Sequence, residues 1–338
     1  MGRRGAVSAF ILQAMSAYIV STGSRLSARE RTDTMLDQTH TASTSAPARV
    51  VVVGDALIDE LRGSETTRQF PGGAALNVAV GLAVLGVPTT LIAMLGDDAD
   101  GAVIRSFLAD HNVELLATPA PRGSSRAVSD RADGEPRYYF NDAAKARRIE
   151  FGLAERAALA AAALIVVSCF PFDDTVQTEA LAASVADPEH RLVIDPNPRA
   201  GMLHDGPRFV RNFEALAARS LLTKVGDEDA EMLYDTSLAD LTVRLLDGGT
   251  STVLATAGRN GALIAQRDGR KVSEPIAELP GAVIDTMGAG DATLAASVAT
   301  IVTRGVPEDA GAWQELLADA MRTAAATCRH EGALLRRP

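Results

Sequence analysis

Asp285-Thr286-Met287-Gly288-Ala289-Gly290-Asp291 is a glycine-rich loop that runs straight into the helix start Ala292-Thr293-Leu294-Ala295-Ala296. Glycine lets backbone N–H groups approach an anion closely, and the first helical turn adds unpaired donors and a partial positive charge. Gly288, Ala289 and Gly290 can thus cradle a phosphate. Asp291 stands beside that cradle, where a carboxylate can accept a proton from an incoming hydroxyl. Phosphoryl transfer has a loose transition state, so alignment and charge stabilisation matter more than a strongly basic side chain. The competing reading of the loop is a turn in which Asp291 only caps a helix.

Upstream, the pattern alternates between strand and helix. Val50 to Val53 is a β-branched run that opens at Gly54-Asp55. A helix is predicted over Ala74 to Leu85, a strand over Thr89 to Met94, and an amphipathic helix over Asp100 to His111. Alternation resumes with strand Leu164 to Val167, helix Thr175 to Val185, strand Leu192 to Ile194, a helix after Pro207 and strand Leu221 to Val225. Val253 to Ala257 and Ala262 to Gln266 flank the turn Gly258 to Gly261, and long helices follow over Gly288 to Arg304 and Asp309 to His330. Such an order predicts an α/β fold, a central mostly parallel sheet flanked by helices with ligands at the carboxyl ends of its strands. Two segments break the rhythm. Residues 57–70 and 118–148 read as short strands, the second containing a hairpin around Asp133-Gly134, and together they predict a small β-sheet lid.

A second glycine stretch, Pro71-Gly72-Gly73-Ala74-Ala75-Leu76-Asn77, brings backbone close to a polyol and places an amide side chain beside it. With Asp59 it supplies the donors and acceptors that a sugar demands, although Asp59 could equally be an exposed turn residue. There is no Gly-x-x-x-x-Gly-Lys-Ser/Thr run and no Gly-x-Gly-x-x-Gly after a strand, which argues against P-loop enzymes and nucleotide-dependent dehydrogenases.

The 338 residues are 47% apolar and only 4% aromatic, enough for one large α/β domain and unlike an aromatic-rich sandwich. A net charge of −10 repels nucleic acid, so any anionic ligand must be held locally. Two cysteines, Cys169 and Cys328, give no disulfide framework, and the five histidines have no zinc spacing. Arg3 and Arg4 ahead of the apolar stretch Ala6 to Val20 have the outline of a signal peptide. The preferred reading takes residues 1–48 as a disordered leader or an over-extended start, with the kinase domain over 49–335. An ATP-using enzyme and two unpaired thiols fit the cytoplasm, with no membrane span.

Both glycine motifs, in this order and separation, resemble those of the ribokinase-like carbohydrate kinases, the PfkB family, over about Val50 to Ala333. The resemblance implies an ATP-dependent kinase acting on a sugar hydroxyl, with Mg2+ and a monovalent cation such as K+ as further expectations. It puts Asp291 in the catalytic-base position and Gly288, Ala289 and Gly290 in the anion hole. Asp59, Gly72, Gly73 and Asn77 match the sugar-binding positions, and Cys169 lies where a sugar could touch it, or is a buried filler. Asn197, Lys224, Thr256, Gly258 and Gly261 match the nucleotide side, and Asp285 a position near the monovalent-cation site. Asp195-Pro196-Asn197-Pro198-Arg199 and Lys224 to Asp229 look most like bacterial fructokinases. One departure concerns metal: Gly226 and Asp229 stand where many members carry Asn and Glu, leaving Asp229 to act through a magnesium-bound water or to be an exposed helix-start carboxylate. The expected acceptor is fructose or a related ketose, with ribose, 2-keto-3-deoxygluconate or a nucleoside as alternatives and a sugar sensor without turnover as the rival from another class. Lids from two chains could pair into a homodimer.

Overall fold

The structure is a computed structural model and describes residues 48–62, 66–130 and 137–338. The leader expected over 1–48, apart from Ala48, and the turn Asp133-Gly134 lie outside the described residues.

In chain order the strands are β1 (Val50–Gly54), β2 (Leu57–Arg62), β3 (Thr67–Gly72), β4 (Thr89–Leu95), β5 (Val113–Pro119), β6 (Ser125–Asp130) and β7 (Arg137–Phe140). They continue with β8 (Leu164–Ser168), β9 (Leu192–Asp195), β10 (Leu222–Gly226), β11 (Thr252–Thr256), β12 (Ala262–Gln266) and β13 (Lys271–Glu274). Nine of them form one sheet in the order β13-β12-β11-β10-β9-β8-β1-β4-β5. Every pair is parallel except β11 with β12 and β12 with β13.

Strand β1 shows why the sheet is covered on both faces. Its side chains alternate, and with helices packed on each side every position is apolar. Val50 and Val52 face one core with Leu76, Val80, Leu294 and Val298 from helices Ala74–Val84 and Ala289–Arg304. Val51 and Val53 face the other with Leu181, Phe209, Phe213 and Leu241.

The chain leaves β1 toward β4 and β5, then returns to lay β8 on the opposite side of β1. Connections diverge at such a switch point and leave a crevice outside the carboxyl ends of the strands. Register brings those ends level: Gly54 pairs with Ser168, Ser168 with Asp195, and Gly226 with Thr256.

The remaining four strands make a separate sheet in the order β3-β2-β6-β7. Strand β2 runs antiparallel to β3 and parallel to β6, and β6 pairs antiparallel with β7. One boundary differs from expectation: Thr118 belongs to the edge strand β5 of the main sheet, pairing with Met94, so the second piece of the small sheet starts only at Ser125. Among the described residues no helix is long and apolar enough to cross a membrane.

Candidate active site

The loop after Asp285 is fixed from behind by the C-terminal tail. Gly288 has φ 76°, and a Cβ there would fall 2.1 Å from the Ala333 carbonyl oxygen, so only glycine fits. Asp285 ties the same pieces together, its Oδ1 accepting from the Met287 amide at 3.0 Å and its Oδ2 from the Gly332 amide at 3.2 Å. With both oxygens so engaged, Asp285 serves as a clamp.

Helix Ala289–Arg304 begins with no side-chain cap, so the amides of Gly290 and Asp291 lie in a first turn that offers them no acceptor. Asp291 is therefore not the helix cap. Its Oδ2 accepts from Asn77 Nδ2 at 2.9 Å, a buried bond across 214 residues of sequence that joins the two glycine motifs. The Asn77 side-chain oxygen, Oδ1, is buried without a partner among the described residues, which fits a site made to meet a hydroxyl donor.

Asn77 is held there by Asp55 at the carboxyl end of β1. Asp55 Oδ1 accepts from the Ala75 amide at 3.0 Å and its carbonyl from the Leu76 amide at 3.2 Å, anchoring the start of helix Ala74–Val84. Gly73 makes the entry at φ 105°. Asp59 is in β2 opposite Phe70, a strand position and not an exposed turn. It packs so closely on Gly72 that a Cβ at 72 would lie 2.0 Å from its Oδ2.

From the other side of the crevice comes Lys224, whose Nζ bonds to Asp195 at 3.2 and 3.4 Å. That ammonium lies under the anion loop, 3.2 Å from where a Gly290 Cβ would be. Asp229 is buried, not an exposed helix-start carboxylate, and its Oδ2 takes the Gly226 amide at 2.7 Å. One committed oxygen leaves the other for an indirect contact, so the group fits a magnesium ion carried in by a nucleotide and met through water. Among the described residues no cluster of three or more acidic, histidine or cysteine side chains forms a metal cage.

The remaining expected residues divide. Asn197 is buried just past β9 at φ 40°. Thr256 ends β11 with its hydroxyl donating to Val225 O at 3.4 Å, and the turn Gly258–Asn260 follows directly, closed by Gly261 against Glu274 O. These lie along the same edge as Gly226. Cys169 is only 1% exposed and packs with Ala74, Ala144 and Met202, as a small buried filler does.

Two further residues of the crevice do not stand out in the sequence. Asp55 carries no motif beyond ending a strand, and Arg199 was visible only as the last residue of Asp195 to Arg199. Burial pushes Asp55, Asp59, Asp195, Asp229 and Asp291 above the usual carboxylate range, and in each case the Arg199 guanidinium pulls back. Burial alone would discharge Lys224, but Asp195, Asp229 and Asp291 outweigh it and hold the ammonium charged. The crevice thus gathers five carboxylates, a helix tip and the cations Lys224 and Arg199.

For Asp59, burial and then the Asp55 charge raise the pKa to about 7. Sugar KM is accordingly expected to rise as pH falls through about 7, where protonation removes the Asp59 charge, and Asp59→Asn should flatten that dependence. The stability sign is the reverse: the folded chain holds this proton where the unfolded chain has lost it, so stability grows as pH falls from about 7 toward the ordinary carboxylate range. Steady-state profiles of KM against pH for the two proteins check this.

Residues 47–338 match the family model described as pfkB family carbohydrate kinase. The chain belongs to that family. Among PfkB relatives, a fructokinase of Rhizobium leguminosarum bv. trifolii is 30% identical over 257 residues, covering 72% of this chain and 76% of that protein. A fructokinase of Salmonella typhimurium is 29% identical over 305 residues, covering 86% and 96%. The fold is also that of the fructokinase with bound ATP from Xylella fastidiosa, with TM-score 0.71, 20% identity, and coverage of 84% of this chain and 93% of that one. Like the other PfkB proteins, this chain is a carbohydrate kinase that transfers phosphate to a hydroxyl.

Proposed function

We propose that the chain transfers the γ-phosphoryl group of ATP to a hydroxyl of fructose or a related ketose, with Asp291 as the base. The observation that carries this is the 2.9 Å bond from Asn77 to Asp291, which puts a sugar-type amide and an unpartnered oxygen beside a carboxylate at a helix tip. The reacting hydroxyl lies between them, with Asp59 and the Gly72-Gly73 backbone holding the rest of the sugar. The raised pKa of Asp291, caused first by burial, makes it a better proton acceptor than a solvated aspartate.

The terminal phosphate meets the amides of Gly288 to Asp291, backed by Lys224. Asn197, Thr256, Gly258 and Gly261 line the path of the nucleotide. Magnesium, when bound with ATP, would neutralise oxygen charge on the transferred group, with Asp229 reaching it through water. The small sheet acts as a lid that keeps water from the phosphate, and its free strands β3 and β7 are edges on which two copies could pair. An ATP-consuming enzyme with two unpaired cysteines suits the cytoplasm.

ADP release with fructose, ribose, 2-keto-3-deoxygluconate and adenosine tests the reading, with Asp291→Ala as control. Turnover is expected with fructose and lost in the control. Release with adenosine alone would replace the ketose by a nucleoside, and none with any acceptor would defeat catalysis.

A further inference from the structure

Arg126, in lid strand β6, joins the small sheet to the body of the molecule. Its guanidinium forks onto Asp100, Nε donating to Oδ2 at 3.1 Å and Nη2 to Oδ1 and Oδ2 at 2.7 and 2.6 Å. The remaining nitrogen, Nη1, donates to Glu60 Oε2. Asp100 lies in the first turn of helix Ala99–Asp110, whose Ile104 and Leu108 are buried in the core of the main sheet. Glu60 belongs to lid strand β2, is only 5% exposed, and also accepts from Arg62 at 2.6 Å and Gln69 at 2.9 Å. One side chain thus spans two lid strands and a helix of the body.

Glu60 follows Asp59 directly, and consecutive strand residues point to opposite faces of a sheet. Ile58 and Arg126 are register partners, so Arg126 and Glu60 share the face away from Asp59. The backbone around Arg126 has other supports. Asp98 accepts the Ser124 amide and hydroxyl, both at 2.7 Å, and Asn141 accepts the Arg126 amide at 3.0 Å while donating to the Ser124 carbonyl at 2.9 Å. The guanidinium is therefore not what holds β6. It adds a tie between the middle of β2 and the helix, on a strand whose hydrogen-bonded neighbours, β3 and β6, are themselves part of the lid.

We infer that Arg126 is a positioning residue for the acceptor sugar: by clamping Glu60 to Asp100 it sets the height of β2 over the crevice, and with it the place of the Asp59 carboxylate. This rests on the reading of Asp59 as a sugar-binding group. Forked, charge-assisted bonds suit the task because they fix direction as well as distance. A displacement of about 1 Å in a group that aligns substrate can cost up to about 10²-fold.

The test measures KM for fructose and for ATP, kcat, and the pH dependence of fructose KM in the wild-type chain and in Arg126→Ala, Arg126→Lys, Asp100→Ala and Asp59→Ala. Arg126→Ala and Asp100→Ala should each raise fructose KM by about 10-fold, with ATP KM within about 2-fold of the parent. Their combination should be no worse than the worse single change, and Arg126→Lys, which keeps the charge but not the fork, should fall between. Asp59 should also gain water once β2 is freed, so the inflection of fructose KM moves below about 7. The charges that face Asp59 are Asp55, Arg199 and Asp291, and none of them is altered. Fructose KM unchanged in Arg126→Ala and Asp100→Ala would overturn the inference, as would both KM values and kcat worsening together with a lowered Tm. Asp59→Ala separates the two readings. If it raises fructose KM while the Arg126 and Asp100 variants do not, only the inference falls; if it leaves fructose KM unchanged, the sugar role of Asp59 falls and takes the inference with it. Where fructose is not turned over, its calorimetric binding is read in the same way, and a wild-type chain that binds no fructose overturns both.

Discussion

Asp291→Ala is expected to lower kcat by about 10²-fold or more while sugar and ATP affinities stay close to those of the unaltered chain. In the role proposed for it the carboxylate acts on the proton that leaves in the transition state, not on the groups that hold the ground state, so the loss falls on kcat. A stability effect accompanies it. Removing the acceptor leaves Asn77 Nδ2 buried and unpaired, a cost of about 1–3 kcal/mol. Asp291→Asn separates the two, since its amide oxygen can still accept from Asn77 but cannot take a proton. It should melt closer to the parent and be as inactive as the alanine variant. Steady-state kinetics, calorimetric binding and thermal melts check all three statements, and an Asp291→Ala protein with near-parental kcat would remove Asp291 from the chemistry.

The second large effect belongs to Lys224. Its Asp195 partner is fully buried, so Lys224→Met strands a carboxylate in the interior, and such breakage costs about 3–5 kcal/mol. Activity should fall as well, because the ammonium under Gly290 supports the anion loop. Its neighbours raise Lys224 above the ordinary lysine pKa, so the lysine's contribution is lost only under strongly alkaline conditions, while on the acid side the pair loses its charge as Asp195, which burial raises above the usual carboxylate range, takes up a proton. Adding Asp195→Leu to Lys224→Met removes the stranded charge. The double variant should regain most of the stability in urea or thermal unfolding without regaining turnover. A single variant as stable as the parent would show that Asp195 protonates without penalty.

The parts of this fold that were legible in the sequence are those whose burial leaves no choice of residue. Strand β1 reads directly because both faces are covered and each position must be apolar. Helix Ala289–Arg304 reads from its glycine entry and small first turn. By contrast β13, Lys271-Val272-Ser273-Glu274, is a polar edge strand whose pairing with β12 comes from register alone. Strand β5 was missed for a related reason: an edge strand can hold Pro119 without losing a ladder bond, and a proline reads as the end of a strand. In the site, glycine motifs revealed the backbone cradles and their companions Asp59, Asn77 and Asp291. Asp55 and Arg199 did not stand out, because their roles come from facing other elements across the crevice.

Ala333 blocks any side chain at position 288, and the Gly332 amide completes the hold on Asp285, so the phosphate cradle is braced by residues near the end of the chain. A change at residues 332–333 should therefore be felt at the phosphate loop, whose shape depends on a stretch more than 40 residues further along the sequence.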